Sequence, residues 1–321
     1  MFGKFMNNYY YGKSGKGDFR KEDLPSNRWQ LFGATLRVRI SGLFRLNLIY
    51  MLCWLPAIIV LCLGALSLYI GLGEASAGDA AAMQAFTDTF YGILSQTLVL
   101  LIPCILITGP FTAGLSYVTR NWARDEHAFI WSDFKDAVKA NWKQSLAISA
   151  ITSVMPLLLY VCWMFYGQQV QTGGMFFVIP QVLSATLVLL WMMSLLYMYP
   201  MLVTYDMKLG MVFKNSLLLA IGRLPQTLGI KLITLVPAAI AVAVCYFTPY
   251  FQWALLALVA YYILLGFSLS RFIQASYSNA VFDKFINKNI EGAVVDRGLY
   301  KDLDDDAEDD EPDDDPTDTQ A

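Results

Sequence analysis

From Leu46 to Gly73 the chain contains no Asp, Glu, Lys or Arg. About 20 consecutive apolar residues suffice for a helix to cross the hydrocarbon core of a bilayer, so this run holds one complete span. Thr89 to Thr119 is equally free of charge, and so is everything from Ser145 to Thr204. Inside a bilayer every backbone polar group must be satisfied without water, which leaves helices or closed barrels. Runs this long, with no alternation of apolar and polar residues, are helical. The expected fold class is all-α, a polytopic membrane helix bundle with about six transmembrane helices. They are placed near residues 47–69, 92–115, 145–165, 176–204, 227–246 and 251–270. The expectation also includes interfacial amphipathic helices and a disordered acidic C-terminal tail.

The chain divides into a basic and aromatic N-terminal segment (1–45), the membrane domain (46–270), a helical extension (271–301) and the acidic tail (302–321). In the first of these, Leu31, Phe32, Leu36, Ile40 and Leu43 share a face, which predicts an interfacial helix leading into the first span. The net charge of −3 conceals a split, because the last 20 residues hold 12 Asp or Glu and no basic residue. Lys and Arg number nine up to Arg45, five between the second and third spans, three between the fourth and fifth, and five from Arg271 onward. Lys231, inside the fifth span, completes the 23. Basic residues beside spans are retained in the cytoplasm, so both termini are expected there.

The residue inventory excludes several chemistries. Cys53, Cys62, Cys104, Cys162 and Cys245 lie in apolar runs without metal-ligand or redox spacing, so no disulfide or zinc site is expected. His127 is the single histidine. Gly12-Lys13-Ser14 suggests a phosphate loop, but the required glycine at position 7 is Asn7. No Asp, Glu or His falls inside a span, where ion-coupled carriers and intramembrane hydrolases keep such a group. No cofactor, no nucleic acid and no catalytic residue is expected. Lys231, Arg45 and Arg271 stand close enough to span boundaries to snorkel to water.

The segment from Thr108 to Leu146, TGPFTAGLSYVTRNWARDEHAFIWSDFKDAVKANWKQSL, recurs in weaker form. Aligning Gln144 with Gln226 matches Ile148 with Ile230, Ile151 with Ile233, Thr152 with Thr234 and Val154 with Val236. Upstream, Phe134-Lys135 answers Phe213-Lys214 and Val118-Thr119 answers Val203-Thr204. Two parallel repeats, about 92–166 and 176–246, follow. Each is a span with a late proline, a basic turn, a surface helix and a returning span. Pro103, Gly109, Pro110 and Pro200 are candidate helix breaks, with Thr108, Thr112 and Ser116 near enough to satisfy freed backbone groups. In the first surface helix Ser132 or Asp133 is the expected N-cap. Arg120, Trp131, Lys135, Lys139, Trp142, Lys143 and, in the second copy, Lys214 are candidate interfacial or docking residues. They suit anchoring on anionic lipid, or a cytoplasmic partner or phosphate group.

FGKFMNNYYYGKSGKGD, LRVRISGLFRLN and above all the segment just quoted resemble the YesL-like family of bacterial multispanning integral membrane proteins, a family of unknown function. The resemblance implies a multi-pass protein of a bacterial cell membrane. Members often stand beside carbohydrate-uptake systems and two-component regulators, which implies a membrane transporter or sensor partner. It transfers no catalytic or ligand residue. Two functions remain open: a non-enzymatic accessory or regulatory protein, or a transporter or channel for a small neutral or carbohydrate-derived solute. For the tail, solvation, contact with the chain's own basic face and cation binding are open. Oligomeric state is not encoded in any of these patterns.

Overall fold

The computed structural model describes residues 24–76, 80–248 and 250–300. The first half of the N-terminal segment, the turn at Pro249 and the expected disorder of the acidic tail lie outside the described residues. The described chain is helical: α1 (Arg28–Ser76), α2 (Ala80–Ala123), α3 (Ile130–Gly173), α4 (Val178–Thr204), α5 (Leu209–Gly222), α6 (Leu224–Phe247), α7 (Phe251–Tyr261) and α8 (Phe267–Phe285). A π-helical turn, Tyr262–Gly266, joins α7 to α8. Six helical stretches are long and apolar enough to cross a membrane, and the chain is a polytopic helical bundle.

Two surface helices expected from the sequence are not separate elements. Residues 31–45 are the first turns of α1, a single 49-residue helix. Nothing between Arg28 and Leu46 breaks a helix, and Leu31 and Leu43 are buried against protein. Phe32 stacks on Phe272 of α8 at 5.3 Å. The segment after Ile130 likewise runs without interruption into the third span as the 44-residue α3. Its N-cap is Phe129, not Ser132 or Asp133. Asp133 sits in the first turn, and its Oδ2 accepts the Phe129 N–H at 2.9 Å.

In the second copy the surface helix is separate, and one aligned position explains why. Lys143-Gln144-Ser145 of α3 corresponds to Pro225-Gln226-Thr227. Proline lacks the N–H that would bond four residues back, and its ring crowds that carbonyl. Pro225 is therefore tolerated only in the first turn of a new helix, and the chain breaks at Arg223 between α5 and α6.

α2 and α3 pack through glycines. A Cβ on Gly114 would lie within 2.9 Å of Phe134 and Val138 atoms, and one on Gly109 would meet Ser149 Oγ at 2.2 Å and Ser145 O at 2.5 Å. Between these two glycines α2 advances five residues while the facing position on α3 moves from Phe134/Val138 to Ser145/Ser149. The first turns of α3 therefore cross α2 obliquely before the two helices run antiparallel.

Two apolar cores share α8. One gathers Met193, Leu196, Tyr197, Met201, Val212, Val281 and Phe282; the other gathers Leu43, Leu46, Leu115, Trp122, Phe134 and Phe272. Asn47 of α1 secures the π turn: its Nδ2 donates to Tyr262 O and Ile263 O, and its Oδ1 accepts the Ser268 N–H. A π turn displaces carbonyls from the regular ladder, and one amide side chain supplies their partners. α6 has only Thr227 and Ala241 buried, whereas Leu232, Val236 and Ile240 are exposed, as suits contact with lipid tails.

Candidate functional site

The start of α1, the α2–α3 turn, the α4–α5 link and the segment after α8 meet at one end of the bundle. Asp283 is a node there. Its buried carboxylate pairs with Arg28, accepts from Asn287 Nδ2, and accepts the Asp296 N–H at 3.2 Å. Arg28 also reaches Asp296 Oδ1 at 2.8 Å. Asp283, in the last turn of α8, and Asn287, in the short 3-10 turn that follows, stand four apart, a spacing that lets them meet. Tyr205 on the α4–α5 link donates to Asn287 Oδ1 at 2.6 Å. Burial first, and the Asp283 charge second, push the Tyr205 hydroxyl up to about 12, so it stays a donor.

A second node is Glu126 in the α2–α3 turn. Arg124 (3.0 Å), Arg297 (3.3 Å) and Arg120 (3.7 Å) surround its carboxylate. Gly298, at φ +84, lies against the turn; a Cβ there would be 3.0 Å from Arg124 O and 3.1 Å from Asp125 Cβ. Tyr300 N donates to Pro25 O at 2.9 Å, so the last described residues lie beside the first. The segments that carry the basic residues in the sequence thus share one end, tied together by carboxylates.

The expected docking residues divide. Arg120 is not available: it is half-buried, bonded to Asn121 Oδ1 at 2.8 Å and close to Glu126. Trp131, Lys135, Lys139, Trp142 and Lys143 are exposed along α3, with Lys143 Nζ 5.6 Å from the Trp142 ring. Trp131 and Lys135 also border a cavity of about 460 Å³ against Ile49, Pro56, Ile107 and Phe111. Lys214 is exposed on α5. Gln144 Nε2 donates to Met207 O, which ties α3 to the α4–α5 link across a cavity of about 350 Å³. On the other side of that link a cavity of about 680 Å³ reaches Phe285 and Asn289. None of these cavities is lined by residues from the far end of the bundle.

The expected helix breaks do not break helices. Pro103 and Pro110 lie within α2 and Pro200 within α4. Pro110 leaves Leu106 O without its intrahelical donor, and Ser149 Oγ of α3 donates to it at 2.7 Å. The close approach that permits this bond requires Gly109. Thr108 and Thr112 instead bond within their own helix, Thr112 Oγ1 also sharing a hydrogen bond with Tyr50 Oη of α1, and Ser116 Oγ is buried without a partner. After Pro200, Thr204 Oγ1 donates to Pro200 O at 2.6 Å.

Sequence reading missed Asp283, Glu126, Arg28 and Arg297. The Asp283–Asn287 spacing and the closeness of Arg120 and Arg124 to Glu126 were the local signals; the contacts of Arg28 and Arg297 join residues far apart in sequence.

A family model described as "Protein of unknown function, DUF624" matches residues 43–163, which span α1 from Leu43, all of α2 and most of α3. Over that part the chain is similar to this family. No curated protein and no solved structure matches the chain.

Proposed function

We propose that this chain is a non-enzymatic accessory or regulatory protein of the bacterial cell membrane, with the ion-paired end of the bundle in the cytoplasm as its docking platform. The observation that carries this reading is the double carboxylate network. It fixes both described chain ends and the α2–α3 turn, and leaves Lys139, Lys143 and Lys214 exposed on the helices beside it. A surface held this way is pre-organised, so a partner loses little freedom in recognising it. The charge distribution supports the cytoplasmic side. The resemblance to YesL-like proteins supports a transporter or sensor of carbohydrate as the partner. The cavities on either side of the α4–α5 link open at the ion-paired end, as suits a docking platform.

Mild solubilisation followed by co-purification tests the reading, with solute flux measured on the purified chain in vesicles. A membrane transporter or sensor is expected in the first assay and no sugar flux in the second. Flux by the pure protein, with no partner recovered, would sink the platform.

A further inference from the structure

Arg271 stands where an arginine ordinarily extends along the apolar surface to reach water. Here it turns inward. Its guanidinium carbon lies 5.4 Å from the centroid of the Tyr199 ring, and its Nη1 is closed off from solvent with no hydrogen-bond partner. Tyr199 and Tyr50 beside it are buried, and Tyr50 Oη shares a 2.8 Å hydrogen bond with Thr112 Oγ1. Lys231 lies on α6, which packs against α8, the helix that carries Arg271. The ion-paired carboxylates among the described residues, Glu126, Asp283 and Asp296, are engaged with other arginines at the polar end. Two basic side chains, each partly exposed, thus lie on helices that pack against each other, with no acidic side chain paired to either among the described residues.

Like charges in a medium of low dielectric raise each other's energy, and each also loses hydration. An anion between them reverses the sign of the interaction. Arginine presents a planar fork that matches phosphate oxygens, and lysine adds a compact point charge. The Tyr199 ring holds the guanidinium by a cation–π contact. α6 is the wall that can yield, because it buries only Thr227 and Ala241. We propose that Arg271 and Lys231, backed by Tyr199, form a binding site for a phosphate-bearing anion beside α6. The phosphate belongs either to the headgroup of an anionic lipid or to a small solute. This site does not depend on the platform reading.

The test is thermal melting of the full chain in detergent, titrated in two arms. One arm adds phosphatidylglycerol, with phosphatidylcholine as control; the other adds inorganic phosphate, with chloride at equal ionic strength. A saturable rise in melting temperature is expected in one arm, and that arm identifies the source. The half-saturating concentration should increase about 10-fold or more in Arg271→Gln and in Lys231→Gln. It should stay unchanged in Arg45→Gln, whose side chain is exposed. If Arg271→Gln does not fold, Lys231→Gln decides alone. No saturable response in either arm, or an unaltered titration in Lys231→Gln, overturns the site.

Discussion

The two copies of the repeat follow one plan and are held together by different physics. In the first, α2 and α3 meet backbone to backbone at Gly109 and Gly114, and Ser149 of one helix satisfies the Leu106 carbonyl of the other. In the second, α4 and α6 are joined through a side-chain bond between Tyr197 Oη and Thr227 Oγ1 at 2.7 Å, and the surface helix α5 is cut off by Pro225. The aligned residues Ser145 and Thr227 are both fully buried, so the polar position survives while its use changes. Small residues bring membrane helices together through dispersion and hydrogen bonding, where the hydrophobic effect offers little between apolar surfaces. The first copy is thereby a rigid core. In the second, α4 and α5 are likewise well buried, and α6, most of which faces outward, is the loosely held helix.

Substitutions at matched places sharpen or break this contrast. Gly109→Ala forces α2 and α3 apart and removes the Ser149 bond, a loss of about 4 kcal/mol that detergent unfolding would detect. A near-neutral result would mean that the glycine contact is not what closes the hairpin. Lys143→Pro imposes on the first copy the break found in the second. Because Lys143 is exposed, its cost of about 3 kcal/mol is that of a helix-interior proline alone. Spin-label distances between positions 135 and 154 should then change, and an unaltered distance would show that one proline does not explain the difference between copies. Tyr197→Phe removes the hydroxyl pair of the second copy at about 1 kcal/mol. A loss as large as that of Gly109→Ala would make the second copy no looser than the first. Gly229→Ala adds a Cβ with nothing within 4 Å and should gain about 0.5 kcal/mol by lowering unfolded-chain entropy. Destabilisation there would reveal a close neighbour of α6.

Much of the architecture is legible in hydropathy alone. Six charge-free or nearly charge-free runs become the six spanning helices, and Lys135 and Lys139 stand exposed on α3. Continuity was harder to read. Hydropathy shows where α3 changes from polar to apolar, but only a proline or another breaker ends a helix, and Lys143 is neither. The prolines of α2 looked like breaks because the Ser149 hydroxyl that rescues Leu106 comes from another helix. Arg271 looked like a snorkelling residue because Tyr50 and Tyr199, which enclose it, come from two other spans. The carboxylate nodes were invisible for the same reason: Asp283 meets Arg28, and Glu126 meets Arg297, only after the bundle is assembled.

The measurement that bears most directly on the platform is site-specific photo-cross-linking in intact membranes. The probe is placed at Lys139 and, as the far-end control, at Phe176, both exposed. The account predicts a discrete adduct with a membrane transporter or sensor from position 139 and none from 176. An adduct from 176 with none from 139 would contradict it, because the recognised surface would then lie opposite the ion-paired end.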